Sequence, residues 1–267
     1  MLRWWPPAIL GADDPKARLG FMRLVEGVWN SGKLENGFAQ KIDDVEHSAE
    51  FVTDTHPVML MLDYGNPVYI ERCMLSMQNF RDTWTAVNSA GHRHFKSCYI
   101  SATDLIEDPP YAADVAMNAR ATVAGLWTAW YNQNPTIVRL FSEWGQAWVE
   151  DAMRTDKGKP AGILPAAVRF DNDEIGGYSE NWYHPNLGWD YYKWELVGSI
   201  SEMYNQLTGM YAITGDRTFL NPINETIRFL ETQNDQQETA AEDGSAGWAK
   251  RVLTGDIVER WADPEKL

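Results

Sequence analysis

The sequence predicts an all-α fold, an array of stacked helical hairpins whose long loops gather on one face, and three observations carry that expectation. A turn recurs without gaps in YGNPVYIERCMLSMQNF from Tyr64, NQNPTIVRLFSEWGQAW from Asn132 and TGDRTFLNPINETIRFL from Thr214. The connections inside each hairpin are very short and those between hairpins are long. No sustained apolar/polar alternation of the strand type interrupts the helical periods.

Each copy of the turn ends one helical pattern and starts another behind an Asn or Asp, whose short side chain accepts from the free N–H groups of a first helical turn. Asn66, Asn134 and Asp216 are these caps, and Pro67 and Pro135 take the first helical position, where a missing N–H costs nothing. A weaker copy, GADDPKARLGFMRLVEGVW, places Asp14 and Pro15 in the same roles. The helices before the turns are expected over His47 to Tyr64, Ala112 to Gln133 and Trp189 to Ile213. Those after them are expected over Pro67 to Val87, Pro135 to Arg154 and Arg217 to Gln233, with a last one over Trp248 to Trp261. HFKSCYISATDL, from His94, has room for a short strand or hairpin. A helical hairpin cannot bury its own apolar face, so the pairs must stack.

At 267 residues the chain is read as a single domain, 1–267, and its opening, MLRWWPPAILGADDP, reads like the middle of a domain, as in a fragment of a longer protein. A formal charge of −15 sets it against nucleic acid as a general partner. No apolar run has the length of a membrane span and no secretion leader opens the chain, so no membrane partner is expected; a secreted or periplasmic location fits but is not assigned. Thirteen Trp, 11 Tyr and 9 Phe suit either sugar-ring faces or a helical core. The two cysteines, Cys73 and Cys98, imply no disulfide framework, and oligomeric state is not legible.

In a stack of hairpins the turns within pairs share one end and the loops between pairs share the other. The long segments Asn30 to Glu46, Asn88 to Tyr111 and Thr155 to Gly188 are therefore expected to converge, and loops of that length are usually functional. The densest is DNDEIGGYSENWYHPNLGWDYYKWE, Asp171 to Glu195. His92, His94 and His184 lie in these loops, with His47 at the start of a helix beside one. GHRHFKS brings Arg93 and Lys96 together with His92 and His94, and Arg169 and Lys193 add charge near the other loop. Together they make a pocket for an anionic ligand, or a loop pinned by its own salt bridges. Removing the proton α to a uronate carboxylate requires a cation, a base and an acid. Asn181, His184, Tyr178, Tyr183, Tyr191 and Tyr192 supply the types, Arg93, Lys96, Arg169 and His92 the binding charge, and Trp182 and Trp189 flat faces for sugar rings. Glycoside hydrolysis would instead draw on Asp171, Asp173, Glu174 and Asp190. No strong metal motif occurs and no cofactor is expected. A structural cation would use His92 and His94, which reach one ion only if their segment is extended, with His184, His47 or Asp43.

The turn LTGMYAITGDRTFLNPINETIRFL resembles the helix-to-helix turn of the (α/α) toroid enzymes that act on carbohydrates, and the Asn, His, Tyr and Arg set resembles that of toroid polysaccharide lyases. The resemblance implies an (α/α) toroid-like array, here open or incomplete because the pairs are fewer than a closed ring holds. It also implies β-elimination on a uronate-containing, anionic polysaccharide with Asn181, His184 and Tyr191 or Tyr192 in the catalytic roles, alongside Tyr178 and His94. Asn181 and His184 are closer in sequence than the corresponding pair in those families. A glycoside hydrolase on the same scaffold and a non-catalytic helical-repeat binding protein are the alternatives.

Overall fold

A computed structural model describes residues 9–11, 14–184, 187, 199–232 and 241–254. Among these the chain is mostly helical, with short two-stranded ribbons in the loops. The helices are α1 (Pro15–Trp29), α2 (Val45–Leu62), α3 (Pro67–Asn79), α4 (Val123–Asn132), α5 (Pro135–Met153), α6 (Ser199–Thr214), α7 (Asn221–Thr232) and α8 (Ala246–Thr254). A π-type turn, Phe80–Trp84, extends α3, and 3-10 segments Ala116–Thr122 and Arg217–Leu220 lead into α4 and α7.

The four expected caps are present. Asp14 accepts from the N–H of Lys16, Asn66 from Val68, Asn134 from Thr136 and Ile137, and Asp216 from Thr218. Pro15, Pro67 and Pro135 each open their helix. Helix α2 packs on the 116–122 segment and α4, and α6 packs on the other side of both, so these form a row. Helices α1, α3, α5 and α7 lie behind it, α3 against α2 and α4, α5 against α4 and α6.

Two expected helices are shorter than their patterns. Ala112–Val115 is not helical: Ala113–Val115 forms β7, paired antiparallel with β8 (Ala167–Arg169) from the next long loop. The pattern that starts at Pro67 ends at Trp84, and Thr85–Val87 is β4, which pairs with β5 (Arg93–Phe95) as a hairpin. Earlier ribbons join β1 (Leu34–Glu35) to β2 (Phe38–Ala39), and β3 (Asp43–Asp44) to β6 (Tyr99–Ile100). The loops are thus tied to one another by backbone pairing and not only by their helices.

Much of the aromatic content fills the core. Trp84, Trp144, Trp148 and Trp182 are fully buried, and Phe80 meets Phe95, Phe141 and Trp144 edge-on with ring centroids 5.0–5.8 Å apart. Trp130 and Tyr64 are exposed instead, 57% and 78%. Both cysteines are buried and free, and no helix is long and apolar enough to cross a membrane, among the described residues.

Candidate functional site

Of the cations expected to share one anionic-ligand pocket, Arg93, Lys96 and Arg169 are each held by a carboxylate of the chain. Arg93 donates through Nε to Glu143 at 2.8 Å, Lys96 lies 3.3 Å from Glu107, and Arg169 lies 2.6 Å from Asp171 with its guanidinium 4.4 Å above the Tyr178 ring. Asn181 accepts the backbone N–H of His184 at 2.7 Å, which makes NWYH a local turn. Trp182, expected as a sugar platform, is core instead: its indole N–H donates to the Gly244 carbonyl at 3.0 Å and its ring packs edge-on against Trp248. Tyr191 and Trp189, with Tyr192, Asp190 and Lys193, lie outside the described residues.

His94, expected in a catalytic role, is completely buried, so its ring does not meet a polysaccharide. Its Nδ1 lies 2.9 Å from Asp114 Oδ2, and its Nε2 lies 3.2 Å from Asp151 Oδ2 and 3.3 Å from Asp173 Oδ1. Burial opposes a charge on this imidazole, but the Asp114, Asp151 and Asp173 carboxylates outweigh it and hold the pKa well above the ordinary histidine value. Asp114 also accepts from the indole N–H groups of Trp144 (2.7 Å) and Trp148 (2.9 Å), the Phe95 N–H and Asn118 Nδ2, so both oxygens of a carboxylate with no solvent exposure have donors. His92, immediately before β5, bridges Asp173 (2.8 Å) and Glu150 (3.0 Å). The sequence allows this pair to reach one cation with His184, His47 or Asp43; the acids that lie beside both histidines are Asp151 and Asp173.

A second constellation lies along the row of α2, 116–122 and α6, and the sequence reading left most of it unassigned. Asp44 is buried at the start of α2 and divides its carboxylate. Oδ1 accepts from the N–H groups of Glu46 (3.0 Å) and His47 (3.1 Å), while Oδ2 takes His47 Nδ1–H at 2.6 Å. The His47 side chain is 53% exposed, and the hydrogen bond from Asp44 raises its pKa against a smaller opposing effect of burial. Tyr99 stands opposite Asp44 across β6, its ring 4.6 Å from that of Tyr111, and burial pushes its phenol up to about 12. Glu50 and Asp54 follow His47 on the same helical face.

Arg120, buried in the 116–122 segment, ties this face together: it donates to Asp54 at 3.1 Å and lies 3.6 Å from Glu202 on α6. Burial raises the Asp54 carboxyl despite Arg120, and Asp54 Oδ2 has no hydrogen-bond partner among the described residues. Beyond Glu202, a groove of about 640 Å³ runs between α4 and α6, walled by Trp127 and Trp130 and floored by Glu202, Asn205 and Gln206. The Nε2 of Gln206 is buried without a hydrogen-bond partner among the described residues.

No protein-family model, curated protein or solved structure matches the chain, so its residues carry the functional reading.

Proposed function

We propose that the chain is an (α/α) toroid-like enzyme that cleaves a uronate-containing polysaccharide by β-elimination, with His47 as the base. The observation that carries this is the His47–Asp44 pair. One carboxylate caps α2 and orients the imidazole at once, leaving a half-exposed ring at the loop end of the helix face along which Glu50, Asp54 and Arg120 follow. In the reaction Nε2 takes the proton at C5, the electrons form the C4=C5 double bond, and the C4–O bond breaks. Tyr99, kept neutral by burial and paired with Asp44 in the ribbon, is the phenol that this reading uses to return a proton to the leaving oxygen. Arg120, buried between Asp54 and Glu202, lends positive potential to this face without contacting the sugar. Further along a polysaccharide, Trp127 and Trp130 offer the flat apolar surfaces that sugar rings stack on, and the exposed Asn205 offers hydrogen bonds to hydroxyls.

Hydrolysis on the same scaffold has one observation in its favour: Asp54, with its raised pKa, and Glu202 both flank Arg120, a pair of carboxyls of the kind that reaction uses. Incubation with a panel of anionic and neutral polysaccharides, following unsaturated-uronate absorbance beside new reducing ends, separates the two. Elimination predicts both signals together and their loss in His47→Gln. Reducing ends without the absorbance would transfer the assignment to hydrolysis, and an unchanged rate in His47→Gln would remove His47 from the chemistry.

A further inference from the structure

We infer that His92, His94, Asp151 and Asp173 form a binding site for one divalent transition-metal cation, zinc by its donor set, that fastens the long loop after α5 to that helix and to β5. One donor atom from each of these four side chains can be chosen so that all lie within 4.8 Å of one another. Three are already spaced as ligands: the separations of 3.2 Å and 3.3 Å from His94 Nε2 to the two carboxylate oxygens match the edge of a zinc tetrahedron, about 3.3 Å for bonds of about 2.0–2.1 Å.

Hydrogen bonding singles out the same point. Asp114 accepts from His94 Nδ1, which sets the tautomer and turns Nε2 towards Asp151 and Asp173. Yet His94 Nε2 and Asp151 Oδ2, both on side chains with no solvent exposure, make no hydrogen bond of acceptable geometry among the described residues. Two orphaned buried donor atoms facing one another beside a third carboxylate are what a cation would satisfy. The surroundings complete the pattern. Arg154 donates to the far oxygen of Asp151 at 3.0 Å and to the Asp173 carbonyl at 2.7 Å, and Asn88 donates to Asp173 at 2.6 Å. Asp114, Asp151, Asp173 and Glu150 surround the two imidazoles against one guanidinium, Arg154, an excess of negative charge that a dication reduces. Imidazole among the donors favours zinc over calcium or magnesium, which take oxygen. The buried His94 and Asp151 make the site closed and structural in kind. It is separate from the His47 face, and its test does not depend on the activity proposed there.

The experiment uses the full chain, stripped with a chelator, dialysed and titrated with Zn²⁺ alone. Calorimetry should show one equivalent bound, and Tm should rise by about 5–10 °C at a hundredfold excess of free metal over Kd. Co²⁺ should give the intense visible bands of tetrahedral coordination. Asp173→Asn should lower Zn²⁺ affinity at least a hundredfold. Because changes at the buried ligands disturb the core, His92→Ala, at a partly exposed position, should lower it at least tenfold with an unchanged far-ultraviolet dichroism spectrum. Folded wild-type protein that binds no stoichiometric Zn²⁺ and gains no thermal stability from it would overturn the site, and the network would then be an imidazolium held by three carboxylates. Equal binding by wild type, Asp173→Asn and His92→Ala would overturn it as well.

Discussion

Asp44 supports α2 through one oxygen and His47 through the other, and a pair of substitutions separates the two roles. Asp44→Ala removes the acceptor for the Glu46 and His47 N–H groups, held at 3.0 and 3.1 Å, at a cost of about 1 kcal/mol within a range of about 0.5–2. Losing negative charge at a helix N-terminus adds about 0.3–1 kcal/mol. Together these lower Tm by about 3–8 °C for a domain of this size. Asp44→Asn keeps a capping oxygen but loses the charge that faces the imidazole. The ring is half exposed, so the ion pair is worth on the order of 0.5 kcal/mol. Its sign follows from the raised pKa of His47: the pair's contribution is full below the unfolded value of about 6.5 and disappears as pH rises through the higher folded value. Urea denaturation at pH 5 and pH 8 should therefore show a wild-type advantage over Asp44→Asn that shrinks at the higher pH, while the gap between Asp44→Ala and Asp44→Asn stays. NMR titration of the His47 ring should give a lower pKa in Asp44→Asn. An advantage over Asp44→Asn that does not change with pH, or an Asp44→Ala variant as stable as Asp44→Asn, would refute the division of the carboxylate.

Three further outcomes are expected. Asp114→Asn places an amide among the donors from Trp144, Trp148, Phe95 and Asn118; it should cost about 3–5 kcal/mol in urea denaturation, and a loss under about 1 kcal/mol would contradict the network. Trp130→Ala, at an exposed groove wall, should change stability by less than about 0.5 kcal/mol yet weaken oligosaccharide binding about three- to tenfold by calorimetry, from a loss of about 0.5–1.5 kcal/mol; unchanged binding would move the sugar site elsewhere. Gly162→Ala puts a methyl 2.3 Å from Glu225 Cβ at a backbone φ of +87°, so a loss of more than about 1 kcal/mol is expected, and a neutral result would separate the loop from α7.

The parts of this protein legible in its sequence are those decided within a few residues. Asp14, Asn66, Asn134 and Asp216 each cap through an N–H two residues on, a contact that depends on nothing distant, and so the hairpin pairs and their boundaries were readable. Ala112–Val115 was misread because its alanine and apolar content suits a helix, while pairing with β8 and the need to bury Asp114 under Trp144 and Trp148 impose a strand. The loop cations were readable as charges but not as charges already matched, since Glu143 stands 50 residues from Arg93 in the chain.

The sequence by itself determined a repeated, capped helical hairpin and long polar loops rich in histidine, because capping and amphipathic period are local properties of a chain. Tertiary structure alone decided which of those histidines serve as what. It buried His94 between carboxylates 20, 57 and 79 residues away, left His47 half open behind Asp44, and set Arg120 between α2 and α6. Such choices depend on where solvent is excluded, and no stretch of sequence carries that information until the helices have packed.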